Sequence, residues 1–262
     1  MKKNTALTIA GSDPSGGAGI QADLKTMKGC GVFGMSAVTA ITAQNTTGVR
    51  SIFKTPGNIL KDQIDAVFED IRPDAVKIGM TASAELISVI AERLAFYKAD
   101  KIVLDPVMVS TSGAKLMEDN AAEALKKELM PLATLITPNI PEACVLAGVS
   151  SIETEEDMVR CAKQISGEYG CAVLLKGGHM DASELSTDIL CLKNMKIVRL
   201  SGKRLDNPNT HGTGCTLSSA IASFLARGYG LVDSVERGKR YLTDCIAQNL
   251  DLGAGSGPLW HI

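Results

Sequence analysis

Short, almost wholly apolar runs recur along this chain, and each empties into glycine or polar residues before a stretch with helical periodicity. The runs are Ala6-Leu7-Thr8-Ile9-Ala10, Ala75-Val76-Lys77-Ile78-Gly79, Lys101-Ile102-Val103-Leu104, Leu135-Ile136-Thr137 and Ala172-Val173-Leu174-Leu175. Helical patterns alternate with them: from about Ile20, over Gly57 to Asp70, Ala84 to Tyr97 and Asn120 to Met130, from Glu142, and over Glu153 to Glu168. In the second of these, Ile59, Leu60, Ile64, Val67 and Phe68 fall on one face. Strand and helix in alternation predict an α/β fold, a parallel sheet with helices on both faces. Strands without a polar face agree, because both of their faces are then buried. Ser36 to Ala43 is expected as a further strand, Thr187–Leu192 and Lys196–Leu200 as extended runs, and Leu231 to Leu250 as the last helix. No linker, repeat or low-complexity block interrupts the pattern, so residues 1–262 are expected to form a single domain.

Composition removes several classes of function. The net charge is −2, without a basic stripe, which argues against nucleic acid or an anionic membrane as partner. Seven cysteines stand scattered with no C-x-x-C pair, which points to reduced thiols in a cytoplasmic protein. Three separated histidines give a His/Cys metal cluster little to build on. The N-terminal MKKNTALTIAGSD reaches glycine and aspartate too early for a secretory signal and reads as a first strand.

Two glycine loops carry the chemistry. The first, Gly11-Ser12-Asp13-Pro14-Ser15-Gly16-Gly17-Ala18-Gly19, follows the first strand. Gly17, Gly19 and Ala22 match G-x-G-x-x-A, but the loop is long for a dinucleotide turn. No acid occurs between Asp23 and Asp62, where a ribose-binding carboxylate would stand, so a nicotinamide-dependent oxidoreductase is disfavoured. A Walker loop is also absent. The second loop lies in NTHGTGCTLSSAIASFLARG, Asn209 to Gly228. A helix starting at Gly212-Thr213-Gly214 leaves its first amides unpaired beside the positive end of its dipole, a place for an anion. Cys215 stands at that helix start, where a thiol of pKa about 8.5 is expected to be lowered and to become able to take a proton.

Between these loops, three strands end in LDP, TPN-x-x-E and LKGG, which a parallel sheet opens on one carboxyl edge. Asp105 and Glu142, with the amide of Asn139, suit a hydrated Mg²⁺, which takes few protein ligands. Lys176 suits a nucleotide phosphate. The inventory describes phosphoryl transfer, in which positioning and charge stabilisation do most of the catalysis.

The pieces AGSDPSGGAGIQADLKT, TAITAQNT, VKIGM, VLDPVM, LITPNIPEA, LLKGGH, NTHGTGCTLSSAIA and GSGP stand in the order found in the hydroxymethylpyrimidine/phosphomethylpyrimidine kinases, which the chain resembles along nearly its whole length. That resemblance implies a ribokinase-like three-layer αβα fold, use of ATP and Mg²⁺, and two successive phosphorylations of one pyrimidine alcohol for thiamine biosynthesis. It implies that Gln44 reads the aminopyrimidine, its amide donating and accepting at once. Gly11, Asp23, Met80 and Val107 would line the same pocket. Asp105, Asn139 and Glu142 would hold the metal and phosphate waters, Lys176 the ATP phosphates, and Gly212, Thr213, Gly214 and Cys215 the anion hole. His211 is expected to shape the loop rather than move protons. Sugar kinases of the wider superfamily carry an aspartate base where this chain has Cys215. A homodimer is implied as well. Thr111-Ser112-Gly113-Ala114 and Pro14–Gly17 are lid candidates by composition. A pyridoxal kinase is the nearest rival, opposed by glutamine at position 44, and a nucleotide-binding regulator on a kinase scaffold is the rival outside catalysis.

Overall fold

The computed structural model describes residues 3–108, 121–178, 185–203, 205, 207 and 209–262. Its centre is one sheet in the order β10-β9-β8-β7-β6-β5-β1-β2. The strands are β1 (Thr5–Ala10), β2 (Phe33–Val38), β5 (Ala75–Ile78), β6 (Ile102–Leu104), β7 (Leu135–Ile136), β8 (Ala172–Leu175), β9 (Leu185–Cys191) and β10 (Ile197–Lys203). From β2 across to β8 all pairings are parallel, and β9 and β10 run antiparallel to their neighbours. The chain runs outward from β1 to β2 and then returns to lay β5 on the other side of β1, so the strand order reverses there. In open sheets a ligand crevice lies beyond the carboxyl ends at such a reversal.

Period-2 alternation sorts the strand residues into two cores. Leu7, Ile9, Val76, Ile78, Leu104 and Val173 face α2 (Gly57–Asp70), α3 (Ala84–Phe96), α5 (Ile140–Ala147) and α6 (Glu155–Tyr169), where Leu60, Ile64, Ile90 and Ile165 cover them. Ala6, Ala75, Val103 and Leu174 face α1 (Gly19–Gly29), α7 (Thr213–Ala226) and α8 (Leu231–Ala247), where Met27, Leu217, Ile221 and Val235 cover them. The helix expected over Asn120 to Met130 is present from Ala121 as α4 (Ala121–Ala124), which widens into a π-turn and closes as a 3₁₀ turn at Leu132. Helix α7 packs across β1, β5 and β6, with its amino end at their carboxyl edge.

The stretch Ser36 to Ala43 departs from expectation. It is two strands in two sheets: β2 ends at Val38, and β3 (Ala40–Asn45) pairs antiparallel with β4 (Gly48–Lys54) in a separate hairpin. The break falls at Thr39, whose amide donates to the Ala10 carbonyl at 3.0 Å and whose hydroxyl donates to the Met80 carbonyl at 2.7 Å. These bonds cap the edge of the main sheet, and the chain leaves it there. Strand β4 is largely exposed and lacks the apolar run that marked the other strands.

The two glycine loops lock together beneath the hairpin. His211 Nε2 lies 2.8 Å from Asp13 Oδ2, and Asp13 also accepts from Ser15 N and Ala18 N. Gly212 has φ +84°, and a Cβ there would stand 1.9 Å from the Gly17 carbonyl oxygen. Gly228 has a similar φ of +87° with open space around it. Urea unfolding should therefore separate the two: Gly212→Ala is expected to cost about 3 kcal/mol, and Gly228→Ala only about 1 kcal/mol from backbone strain. Equal losses would mean that the loops do not meet as described.

Candidate active site

Three strand ends meet at one carboxylate. Asp105, just past β6, accepts from Thr137 Oγ1 at 3.0 Å and from Lys176 Nζ at 3.1 Å, both on Oδ1. A Cβ on Gly214 would lie 3.2 Å from Asp105 Oδ2 and 3.6 Å from Lys176 Nζ, so the first turn of α7 faces both groups at close range. No side chain caps that turn. Thr213 N donates to the Thr210 carbonyl at 3.3 Å, and the amides that follow it in this turn are left for an anion.

Glu142 and Asn139 form a capping box at the start of α5. Asn139 N donates to Glu142 Oε2 at 2.9 Å, and Glu142 N donates to Asn139 Oδ1 at 2.8 Å. The Glu142 carboxyl is buried, and burial together with nearby Asp105 pushes its pKa up to about 7 against the pull of Lys176. Burial opposes the Lys176 ammonium, yet Asp105 and Glu142 hold its pKa above the ordinary lysine value. Two carboxylates therefore share one lysine, a charge balance that a divalent cation would improve.

The other half of the cleft lies at β1, β5 and the hairpin. A Cβ on Gly11 would stand 3.1 Å from Met80 Sδ, so these two residues face each other across the gap between β1 and β5. Ser12 ties the first loop to β3: its amide donates to the Ala40 carbonyl at 2.8 Å, and its carbonyl accepts from Thr42 Oγ1 at 2.7 Å. Gln44 is half-buried on the same strand, opposite Val49 and just beyond a register shift. Val107 is half-buried two residues after Asp105.

Lysine, two carboxylates and an uncapped helix end thus stand together past β6, β7 and β8, while Gly11 and Met80 meet past β1 and β5 and Gln44 lies in β3. Sequence comparison matches residues 13–260 to the family described as phosphomethylpyrimidine kinase. The chain belongs to the phosphomethylpyrimidine kinase family. It is 44% identical over 264 residues to the hydroxymethylpyrimidine/phosphomethylpyrimidine kinase of Escherichia coli, covering 100% of this chain and 98% of that one. The crystal structure of phosphomethylpyrimidine kinase from Clostridium difficile is 49% identical and superposes with a TM-score of 0.82, covering 93% of this chain and 100% of that one. An ADP complex of Bacillus subtilis pyridoxal kinase is 35% identical with a TM-score of 0.92, covering 99% and 98% of the two chains. The three-layer architecture is therefore the ribokinase-like one.

Not every residue expected from this kinase family resemblance sits at the surface of the cleft. Asp23 does not line the pocket: it is fully buried, with Thr8, Lys77 and Ser219 donating to its carboxylate. Gln44 lies within a strand rather than in a turn past one. The Pro14–Gly17 turn is closed onto Asp13 and His211 instead of standing free, and Thr111–Ala114 lie outside the described residues. His211 ties the second glycine loop to Asp13 of the first. Lys77 is a further buried polar residue of this region, marked in the sequence only as the single lysine inside the apolar run AVKI.

The expectation for the Cys215 thiol is overturned. Its sulfur is half-buried and accepts from the Gly19 amide, yet burial pushes its pKa up to about 11, with Lys77 opposing and Asp23 and Asp105 adding to the rise. The helix end does not outweigh desolvation. Iodoacetamide labelling of Cys215, read by peptide mass spectrometry, should still be accelerating at pH 10, where a thiol of pKa about 8.5 is almost fully ionised and its rate has levelled off. A rate that no longer rises above pH 10 would contradict this. Asp13 behaves oppositely: burial would raise its pKa, but His211, Ser15 and Ala18 hold it well below the carboxylate range. Its contribution to stability is complete above the unfolded value of about 4 and lost as pH falls below it. The melting-temperature gap between wild type and Asp13→Asn should therefore shrink from pH 6 to pH 3, whereas a constant gap would sink the assignment.

Proposed function

We propose that this cleft transfers the γ-phosphoryl group of ATP to the hydroxymethyl oxygen of 4-amino-5-hydroxymethyl-2-methylpyrimidine, and then to the resulting monophosphate. Membership of the family and full-length relatives at 44% and 47% identity that carry the name hydroxymethylpyrimidine/phosphomethylpyrimidine kinase support this activity, which serves thiamine biosynthesis. The observation that carries the reading of the site is the close approach of Gly214 to both Asp105 and Lys176, which brings an amide-lined anion site against a lysine and a carboxylate. Gln44, Gly11, Met80 and Val107 then hold the pyrimidine. Asp23 acts from behind that wall.

In each step the acceptor oxygen bonds to the γ-phosphorus while the bond from that phosphorus to the ADP oxygen breaks. Lys176 neutralises the phosphate chain, and the amides of Gly212, Gly214 and Cys215 bind the oxygens of the group in flight, while Thr213 holds the loop through its bonds to the Thr210 carbonyl. Asp105 and Glu142, with Asn139 beside them, would hold Mg²⁺, which when bound offsets charge on the phosphates. Cys215, protonated at neutral pH, donates a hydrogen bond to the transferred group, and the hydroxyl proton passes to a phosphoryl oxygen. A neutral residue there also suits the second step, whose phosphate acceptor is already largely ionised given a pKa of about 6. A carboxylate would repel it. The same reading takes the chain as one domain working as a cytoplasmic homodimer. Its support is the eight-stranded central sheet, which draws strands from β1 through β10, and the family resemblance; no described helix is long and apolar enough to cross a membrane.

With Mg-ATP, the pyrimidine alcohol and its monophosphate should both turn over with higher kcat/KM than pyridoxal. A preference for pyridoxal would leave the ATP site standing and remove the role of Gln44. Gln44→Met should lower kcat/KM for the pyrimidine by about 100-fold, the scale of losing paired hydrogen bonds to a substrate. Cys215→Asp should slow the second phosphorylation roughly tenfold more than the first. Equal effects on both steps would end the argument for a neutral residue at that position.

A further inference from the structure

Lys77 lies in the middle of β5, fully buried, beneath the floor of the cleft. Its ammonium donates to both oxygens of Asp23, at 2.9 and 2.8 Å. The same carboxylate accepts from Thr8 Oγ1 at 2.6 Å and Ser219 Oγ at 2.7 Å. Thr8, Asp23 and Ser219 are fully buried too, and Thr8 and Lys77 are direct partners across β1 and β5. An ion pair so enclosed is a poor source of stability, because desolvation offsets the attraction and apolar residues of similar volume often serve as well.

Its location points to a different use. A Cβ on Gly79 would lie 2.7 Å from Lys77 Nζ, so the ammonium presses against the backbone that leads to Met80. Ser219 stands one turn beyond Cys215 on α7. Cys215 in turn accepts from Gly19 N, the first residue of α1, so the amino ends of α1 and α7 converge on one sulfur. The Lys77 charge acts on that sulfur more strongly than the Asp23 charge does, and it also reaches Asp105.

We propose that Lys77 is a positioning residue for phosphoryl transfer: through Asp23 and Ser219 it sets the seat of the α7 amino end, and its charge deepens the positive potential there. The inference rests on the kinase reading above. It assigns the buried pair to catalysis rather than to stability, and it gives Asp23 its role.

The test is the double variant Asp23→Asn/Lys77→Met, which removes both charges together and keeps an amide for Thr8 and Ser219. It should fold, with a melting temperature within about 5 °C of wild type. Its kcat for the pyrimidine alcohol should fall about 30-fold while KM for ATP changes less than about threefold. Cys215 labelling by iodoacetamide at pH 9 should slow by about two- to threefold, because the Lys77 charge outweighs the opposing Asp23 charge at the sulfur, which a merely structural role would not produce. A folded double variant with kcat and labelling both near wild type overturns the proposal, and so does a fall in kcat with unchanged labelling. Should the double variant fail to fold, Ser219→Ala decides: a loss of about fivefold in kcat is expected, and no loss overturns the proposal. A wild-type chain that phosphorylates neither pyrimidine would refute the kinase reading itself, and the labelling comparison would still judge Lys77, since it needs no turnover.

Discussion

The contact between Asp23 and Lys77 joins more of this molecule than any other side-chain pair described. It links α1 to β5 directly, β1 through Thr8, and α7 through Ser219. Those four elements carry the first glycine loop, the approach to Met80 and the amino end of α7. Removing either charge alone would strand the other in a region without water, a loss of about 3–5 kcal/mol. The small side chains on that face of the sheet and on α7, such as Ala6, Ala75, Ser219, Ala220 and Ser223, let the helix approach closely enough for the network to close.

Around this anchor the charges alternate along the sheet edge. Lys77 stands behind Cys215, Asp105 and Lys176 face Gly214, and Glu142 is held at α5 by its own capping box. The second lysine is fastened from its far side. Gly177, next to Lys176, donates its amide to Asp188 at 2.8 Å, and Asp188 also pairs with Lys239 of α8 at 2.8 Å. Phosphoryl transfer asks a protein mainly to hold charges at fixed places, and each charged group here is held by a second element. The loops obey the same logic. His211 and Asp13 bind the first glycine loop to the second, so the two loops cannot drift apart.

Much of this was legible in the sequence, for a physical reason. A strand buried on both faces must be apolar, so the polar residue that ends it stands out, as in LDP, TPN and LKGG. Three such ends on parallel strands fall on one edge, which by itself brings Asp105, Asn139 and Lys176 together. Contacts between distant segments were not legible. Asp23 and Lys77 are 54 residues apart, and nothing local marks Asp23 as buried. The break at Thr39 was hidden because Ser36 to Ala43 is continuous in β propensity and divides only through bonds to Ala10 and Met80. The direction of the Cys215 shift was not legible either, because a helix dipole can be read from a glycine loop, whereas desolvation depends on what the fold packs around the sulfur.

The central claim is that substrate phosphate and nucleotide meet at the amino end of α7. Ligand protection of Cys215 tests it most directly, with half-buried Cys144 on α5 as the internal control. Saturating Mg²⁺, a non-hydrolysable ATP analogue and hydroxymethylpyrimidine monophosphate should slow iodoacetamide labelling of Cys215 by about tenfold or more while leaving Cys144 unchanged. An unchanged rate at Cys215 under saturating ligand would place the reacting groups elsewhere and contradict the account.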